Sequence, residues 1–336
     1  MHDKHLVLGG LGFIGSHLCD ALLARGDVVI AFDDMSTGRR ENIAHLRDHK
    51  RFHVVQGDVR VPRDLGWNGA YFLHGSFSRI WNLACPASPP VYQRDPVGTM
   101  MTCVVGTKNA LDLAKLCGAV MVQASTSEVY GDPLVHPQCE VYHGNVNPHG
   151  PRSCYDEGKR AAEALCHDYA NTHGVDVRIA RIFNTYGERM RPDDGRVVSN
   201  FIVQALRGER LTVYGDGGQT RSLCHVSDLV RGLVALGVVS AEQHEPINLG
   251  NPHEVTITSL AAIILSLTGR AAIEDLIKDP GLLDTMLERL PALVDDPCQR
   301  LPDITRAESL LQWRPEVKLH DGLQRMIDHF RSELKL

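Results

Sequence analysis

Leu6-Val-Leu8 runs into Gly9-Gly-Leu-Gly12-Phe-Ile-Gly15, and Val28-Val-Ile-Ala-Phe32 follows and ends in Asp33. An apolar run, a glycine-rich turn, a helical pattern through about Arg25 and a second apolar run predict a β-α-β unit. Glycine at such a turn lets the backbone approach a pyrophosphate, which the helix amides and dipole then bind. The spacing is G-x-x-G-x-x-G, and a glycine turn alone is weak evidence; the strand after it supplies the context. Asp33, about 20 residues past the loop, can accept hydrogen bonds from an adenosine ribose and would repel a 2′-phosphate. NAD is therefore expected rather than NADP, a preference softened by Arg39 and Arg40 close behind. Gly9, Gly12, Phe13, Ile14, Gly15 and Asp33 are the first candidate cofactor residues.

The rhythm continues along the chain. Phe52-His-Val-Val55 and Arg79-Ile-Trp-Asn-Leu83 read as short strands, Val97 to Leu116 as a long helix, and Ala119-Val-Met-Val-Gln123 as the next strand. Val175 to Ile182 is another, and Ile247-Asn-Leu-Gly250 a strand end. This alternation implies an α/β fold, a Rossmann-like doubly wound parallel sheet whose ligands lie beyond the strand carboxyl ends. Residues 1–183 with about 221–250 are expected to hold the dinucleotide. About 184–220 with 251–336 should form a smaller, interleaved C-terminal substrate-binding lobe. Past the third strand, Asp58 can contact adenine or merely close a turn, with Val59 beside it; Ala84 lies past the fourth.

With 336 residues, 23% charged and 43% hydrophobic, the chain has the composition of a globular protein with a large core. A formal charge of -6 argues against general nucleic-acid or membrane-surface binding. The first strand begins at once, so no secretory leader is expected, and no apolar run approaches the roughly 20 residues that span a bilayer. The 9 cysteines are odd in number and lack a C-x-x-C pair, and the 17 histidines show no H-E-x-x-H spacing. A reducing cytoplasm without disulfides or a metal is the expectation.

Ser153-Cys-Tyr155-Asp-Glu-Gly-Lys159 places Tyr and Lys one helical turn apart on the same face. An ammonium beside a phenol favours phenolate, so Lys159 is expected to lower the Tyr155 pKa and suit it to take a proton from a substrate hydroxyl. Ser153 and Asp156 look like a capping box and Gly174 a stop, which puts this helix at roughly 154–172 with Tyr155 in its first turn. Upstream, Thr126 at a strand end can hydrogen-bond a reacting hydroxyl or ketone, and Glu128 can act as a base or hold a water. Ser and Thr after a strand also commonly just close a turn.

Longer strings resemble the UDP-glucuronate decarboxylase family, among the extended short-chain dehydrogenase/reductases that act on nucleotide sugars. They are Asn82-Leu-Ala-Cys-Pro-Ala-Ser-Pro89, Thr126-Ser-Glu-Val-Tyr-Gly-Asp-Pro133, Gly144-Asn-Val-Asn-Pro148, Gly150-Pro-Arg-Ser-Cys-Tyr-Asp-Glu-Gly-Lys159 and Arg178-Ile-Ala-Arg-Ile-Phe-Asn-Thr-Tyr-Gly187. The resemblance implies an NAD-dependent enzyme that oxidises the sugar at C4, loses carbon dioxide from the β-keto acid and reduces the ketone again. It makes Tyr155, Lys159, Thr126, Glu128 and Arg300 catalytic, with Tyr155 and Lys159 also at the cofactor. Asn184, Val198, Tyr214, Arg221 and Arg300 then face the UDP-sugar; Arg191 stays open between that role and a solvated charge. A homodimer pairing the Val97–Leu116 and Tyr155–Thr172 helices is implied too.

Some positions depart from the family strings. Met101-Thr102-Cys103 stands where Lys-Thr-Asn is usual, that lysine being a candidate carboxylate partner. Leu223-Cys-His225 replaces Phe-Gln-Tyr, Arg300-Leu-Pro302 replaces Arg-Lys-Pro, and Asp34 stands where Asn often follows the ribose aspartate. Roughly 275–290 reads as an extra amphipathic segment, a surface insertion or a partner surface. The competing readings are a 4-epimerase, a decarboxylase that releases the 4-ketopentose, and a non-catalytic NAD-binding protein.

Overall fold

The computed structural model describes residues 2–65, 77–240, 244–292 and 294–336. Strands β1 (Lys4–Leu8), β2 (Val28–Asp33), β3 (Phe52–Gln56), β4 (Arg79–Asn82), β5 (Val120–Thr126) and β6 (Val177–Ile182) join Ile247–Leu249 in one parallel sheet. Its order is Ile247–Leu249, β6, β5, β4, β1, β2, β3. The chain therefore reverses its direction of winding between β1 and β4, where doubly wound sheets open a ligand crevice. Leu8 is level with both Phe32 and Asn82, so these three strands end within one residue of each other. The residues just beyond them, Gly9, Asp33 and Leu83-Ala84, converge on that crevice.

Apolar residues cover both faces of the sheet, as a parallel sheet requires. Leu18, Leu22, Val29, Trp81 and Leu233 belong to one layer; Leu6, Phe32, Ile80, Leu111 and Ile179 belong to the other. A further core around Phe201, Leu211, Leu260, Ile264 and Phe330 is built from carboxy-terminal elements. Among the described residues no helix is long and apolar enough to cross a membrane. All nine cysteines are free thiols.

One local expectation changes and another gains detail. The helix expected over Val97–Leu116 runs as Pro96–Met101, a π turn over Thr102–Gly106, and Thr107–Cys117. The segment near 275–290 is amphipathic, as expected, and is structured: Ile273–Lys278 and Pro280–Thr285 are helices, and Leu287–Leu290 pairs in parallel with Leu211–Tyr214. Leu276, Leu283 and Leu287 are buried in the carboxy-terminal core, which ties the segment down and braces the strand that ends at Tyr214.

Candidate active site

The glycine loop is shaped by close approach. Gly9 has φ +77°, and a Cβ there would stand 2.9 Å from the Leu83 carbonyl carbon. A Cβ on Gly15 would meet the Gly9 carbonyl oxygen at 2.1 Å, so the first turn of helix α1 (Phe13–Ala24) can sit against the loop only as glycine. No side chain caps that helix and no acidic residue stands in its first turn, which leaves its amides to a negatively charged guest. Asp33 accepts from the Leu11 amide at 2.9 Å and the Met35 amide at 2.8 Å. Burial pushes its carboxyl up, and these two amides pull it back. The loop and the aspartate thus fit a dinucleotide: a cradle without Cβ atoms, a free helix start and a buried carboxylate at the neighbouring strand end.

A cavity of about 580 Å³ extends from this loop to the carboxy-terminal lobe. Gly9, Gly12, Phe13, Ile14, Gly15, Asp33, Val59, Ala84, Thr126, Glu128, Tyr155 and Lys159 line it, as do Asn184, Arg191, Val198, Tyr214, Arg221 and Arg300. Asp58 does not: its carboxylate turns to Arg60, which grips it at 2.7–3.0 Å, while Gly57 and Val59 on either side face the cavity. Arg191 lies at the rim, paired with Asp193 at 2.7 Å. Met101, where the family strings carry lysine, is 39% exposed and off the cavity, whereas Thr102 lines it. Leu223 and Asp34 do line it.

Tyr155 is the third residue of the helix Ser153–His173, as its sequence position requires. The expected capping box is not formed. Ser153 lies inside the helix and donates 2.8 Å to the Gly150 carbonyl, and Arg152 takes the N-cap position. Gly174 ends the helix with φ +66°. Lys159 is buried and donates 2.8 Å to the Ala124 carbonyl, with its ammonium 5.8 Å from the Tyr155 ring centroid. Tyr155 stacks on Tyr92, with centroids 5.0 Å apart and planes within 2°. The expected lowering of its pKa is not seen. Burial holds the phenol well above its ordinary value, Cys85 adds to this, and the Thr126 hydroxyl pulls the other way. Desolvation of the phenolate is the largest influence on it.

A second cluster forms the opposite wall. Glu128 accepts from Arg152 at 2.5 Å and Arg300 at 3.1 Å. Arg152 and Arg221 share Asp296, at 3.3 and 2.6 Å. Burial pushes Glu128 up, but Arg300, Arg152 and Arg221 overcome it and keep the carboxylate ionised. Arg152 and Tyr92 escaped sequence reasoning. Arg152 carried a usable signal, one turn before the Tyr155 face at a helix start; Tyr92 carried none beyond its place after the fourth strand.

Asp156 stands behind this wall, buried, with Oδ2 3.9 Å from the Arg152 Nε and Oδ1 without a partner. Burial raises its carboxyl, the nearby Glu128 raises it further, and it titrates at about 8. With Asp156 protonated, three guanidiniums face only Glu128 and Asp296, a surplus of positive charge suited to an anionic guest. From about pH 4 to about 8 the folded chain holds a proton that the unfolded chain releases, so stability falls as pH rises through that window. Asp156→Asn is expected to change stability little at pH 4 and to stabilise by at least about 1 kcal/mol at pH 8. Urea unfolding of both proteins at the two pH values measures this; an equal shift at both would rule out the buried proton.

The parallel sheet, glycine loop and Tyr155–Lys159 helix are those of an extended short-chain dehydrogenase/reductase. The family model described as GDP-mannose 4,6 dehydratase matches residues 6–326. UDP-glucuronic acid decarboxylase 6 of Arabidopsis thaliana is 51% identical over 331 residues, 98% of this chain and 89% of that protein. The UDP-glucose 4-epimerase of Thermotoga maritima, solved with UDP-glucose, superposes with TM-score 0.86 at 26% identity, over 98% of this chain and 99% of that one. The UDP-glucuronic acid 4-epimerase of Bacillus cereus, solved with UDP-glucuronic acid and NAD, gives 0.83 at 28% identity, with coverages of 98% and 99%. The chain belongs to the family of UDP-glucuronic acid decarboxylases.

Proposed function

We propose that the chain converts UDP-glucuronate to UDP-xylose and carbon dioxide with bound NAD. The observation that carries this reading is a buried tyrosine–lysine–threonine group facing a wall of three arginines around an ionised carboxylate. Residues 1–183 with about 221–250 would hold the dinucleotide, and about 184–220 with 251–336 the nucleotide sugar. Gly9, Gly12 and Gly15 with the α1 amides suit the pyrophosphate, Asp33 the ribose, and Val59 and Ala84 the flanking walls. Asn184, Val198, Tyr214 and Arg221 suit the UDP moiety; Arg191 at the rim would join them on leaving Asp193.

Tyr155 Oη accepts the proton of the sugar C4 hydroxyl, with Lys159 acting against the burial that holds the phenol high. NAD, when bound, supplies the hydride acceptor for C4 and the donor that restores it. A ketone at C4 lies β to the C6 carboxylate, so carbon dioxide leaves with its electrons in an enolate, whose oxygen Tyr155 and Thr126 hold. Arg300 orients the carboxylate, and Glu128 manages the proton at C5. Two copies would pair through the Val97–Leu116 and Tyr155–Thr172 helices; Val97 and Leu116, 70% and 62% exposed, support that surface. The free thiols suit a reducing cytoplasm.

Incubation with UDP-glucuronate and NAD, followed by product analysis, tests the assignment. Carbon dioxide and UDP-xylose in equal amounts, with NAD unconsumed, are expected. UDP-galacturonate without carbon dioxide would make the chain a 4-epimerase, and a released ketopentose would end the cycle before re-reduction.

A further inference from the structure

Two thiols outside the proton-transfer group meet, one in the cavity wall and the other just behind it. Cys85 follows Ala84 beyond β4 and lines the cavity; Cys103 sits in the π turn, 2% exposed. Their sulfurs are 3.3 Å apart and share a hydrogen bond. Cys103 is backed by the helix that carries Tyr155 and Lys159: a Cβ on Gly158 would lie 3.0 Å from its Cβ and 3.2 Å from its sulfur. The hydrogen bond to Cys85 draws the Cys103 thiol down to about 7 against burial, with the Lys159 ammonium assisting. Cys19, Cys166 and Cys224, equally buried but without such a partner, are pushed far up instead. A thiolate is the nucleophile in thiol oxidation, so this pair is the one set up to react.

We propose that Cys85 and Cys103 form an oxidation site in the cavity wall, which takes a small peroxide, closes to a disulfide and thereby lowers turnover. The Cys103 thiolate attacks one peroxide oxygen, the O–O bond breaks, and the departing hydroxide takes up a proton as water. The resulting sulfenic acid is displaced by the Cys85 thiol, forming the S–S bond and a second water. Two thiols are oxidised and one peroxide is reduced.

The consequence for the cavity is steric. A disulfide is about 2.05 Å long, so sulfurs now 3.3 Å apart must close by about 1.3 Å. Cys103 is packed on Gly158, so the movement falls to Cys85, and with it to Ala84 and Pro86 in the cavity wall.

Reduced full-length protein is exposed to hydrogen peroxide, alkylated and digested without reductant. A peptide pair linking Cys85 to Cys103, lighter by two hydrogens, is expected at least about tenfold faster than oxidation of the exposed Cys298. Turnover should fall with it by at least about tenfold and return with dithiothreitol. Cys103→Ser, nearly isosteric, should yield no linked pair and keep its turnover under the same exposure; Cys103→Ala serves the same purpose if Ser disturbs the packing. Oxidation of Cys298 without a linked pair, or an equal loss of turnover in the Cys103 variants, overturns the proposal. The turnover arm rests on the sugar assignment and the mass of the linked pair does not, so the two failures are distinguishable.

Discussion

Tyr155→Phe is expected to lower carbon dioxide release from UDP-glucuronate by about a thousandfold, within the range for loss of a positioned acid–base group. The substitution removes one oxygen and leaves the ring, so the stack on Tyr92 at 5.0 Å and the helix start should survive. Stability should therefore move by less than about 1 kcal/mol, which unfolding in urea checks. No NADH absorbance should appear when UDP-glucuronate is added, because the C4 proton then has no acceptor at the Tyr155 position. The mechanism ties oxidation and decarboxylation together, and normal carbon dioxide release by this variant would sink it. Lys159 should not substitute as the acceptor, since its ammonium is held by the Ala124 carbonyl.

The other large effect is expected from Arg300→Met. Arg300 is 1% exposed, donates to the Ser127 carbonyl at 2.9 Å and to Glu128 at 3.1 Å, and burial pulls its own pKa down. Removing one partner of a buried ion pair typically costs about 3–5 kcal/mol, because the charge left behind is desolvated and uncompensated. Arg152 still grips Glu128, so a loss of about 3 kcal/mol in unfolding free energy is expected. Glu128 also loses the largest influence holding it ionised, and its carboxyl should rise. Carbon dioxide release should fall at least about a hundredfold. A destabilised variant with undiminished release would reduce Arg300 to a structural role; Arg300→Lys, which restores charge without the planar fork, should recover stability more than rate.

The contrast between these two residues also describes how the chain can be read. Tyr155 and Lys159 are four apart on one helix, Gly9, Gly12 and Gly15 lie on one turn, and Asp33 ends the next strand. Short-range spacing alone puts each of these groups together, because helix and strand periods are set by the backbone. The parallel sheet was legible for the same reason, and so was the helix stop at Gly174. The Ser153–Asp156 capping box was a misreading of equally local signals: the turn at Gly150 gives the Ser153 hydroxyl a carbonyl to bond, and Arg152 takes the cap.

Long-range packing settled the rest. Glu128, Arg152, Asp296 and Arg300 come from three stretches of chain, and nothing in their spacing announces one cluster. Asp58 faces Arg60 instead of the cavity, and the 275–290 segment braces Tyr214 through a strand pair. The ionisation of the site follows the same division. A sequence names the charged neighbours, but burial comes only from the folded surroundings, and burial is what holds Tyr155 high, protonates Asp156 and leaves Glu128 dependent on its arginines.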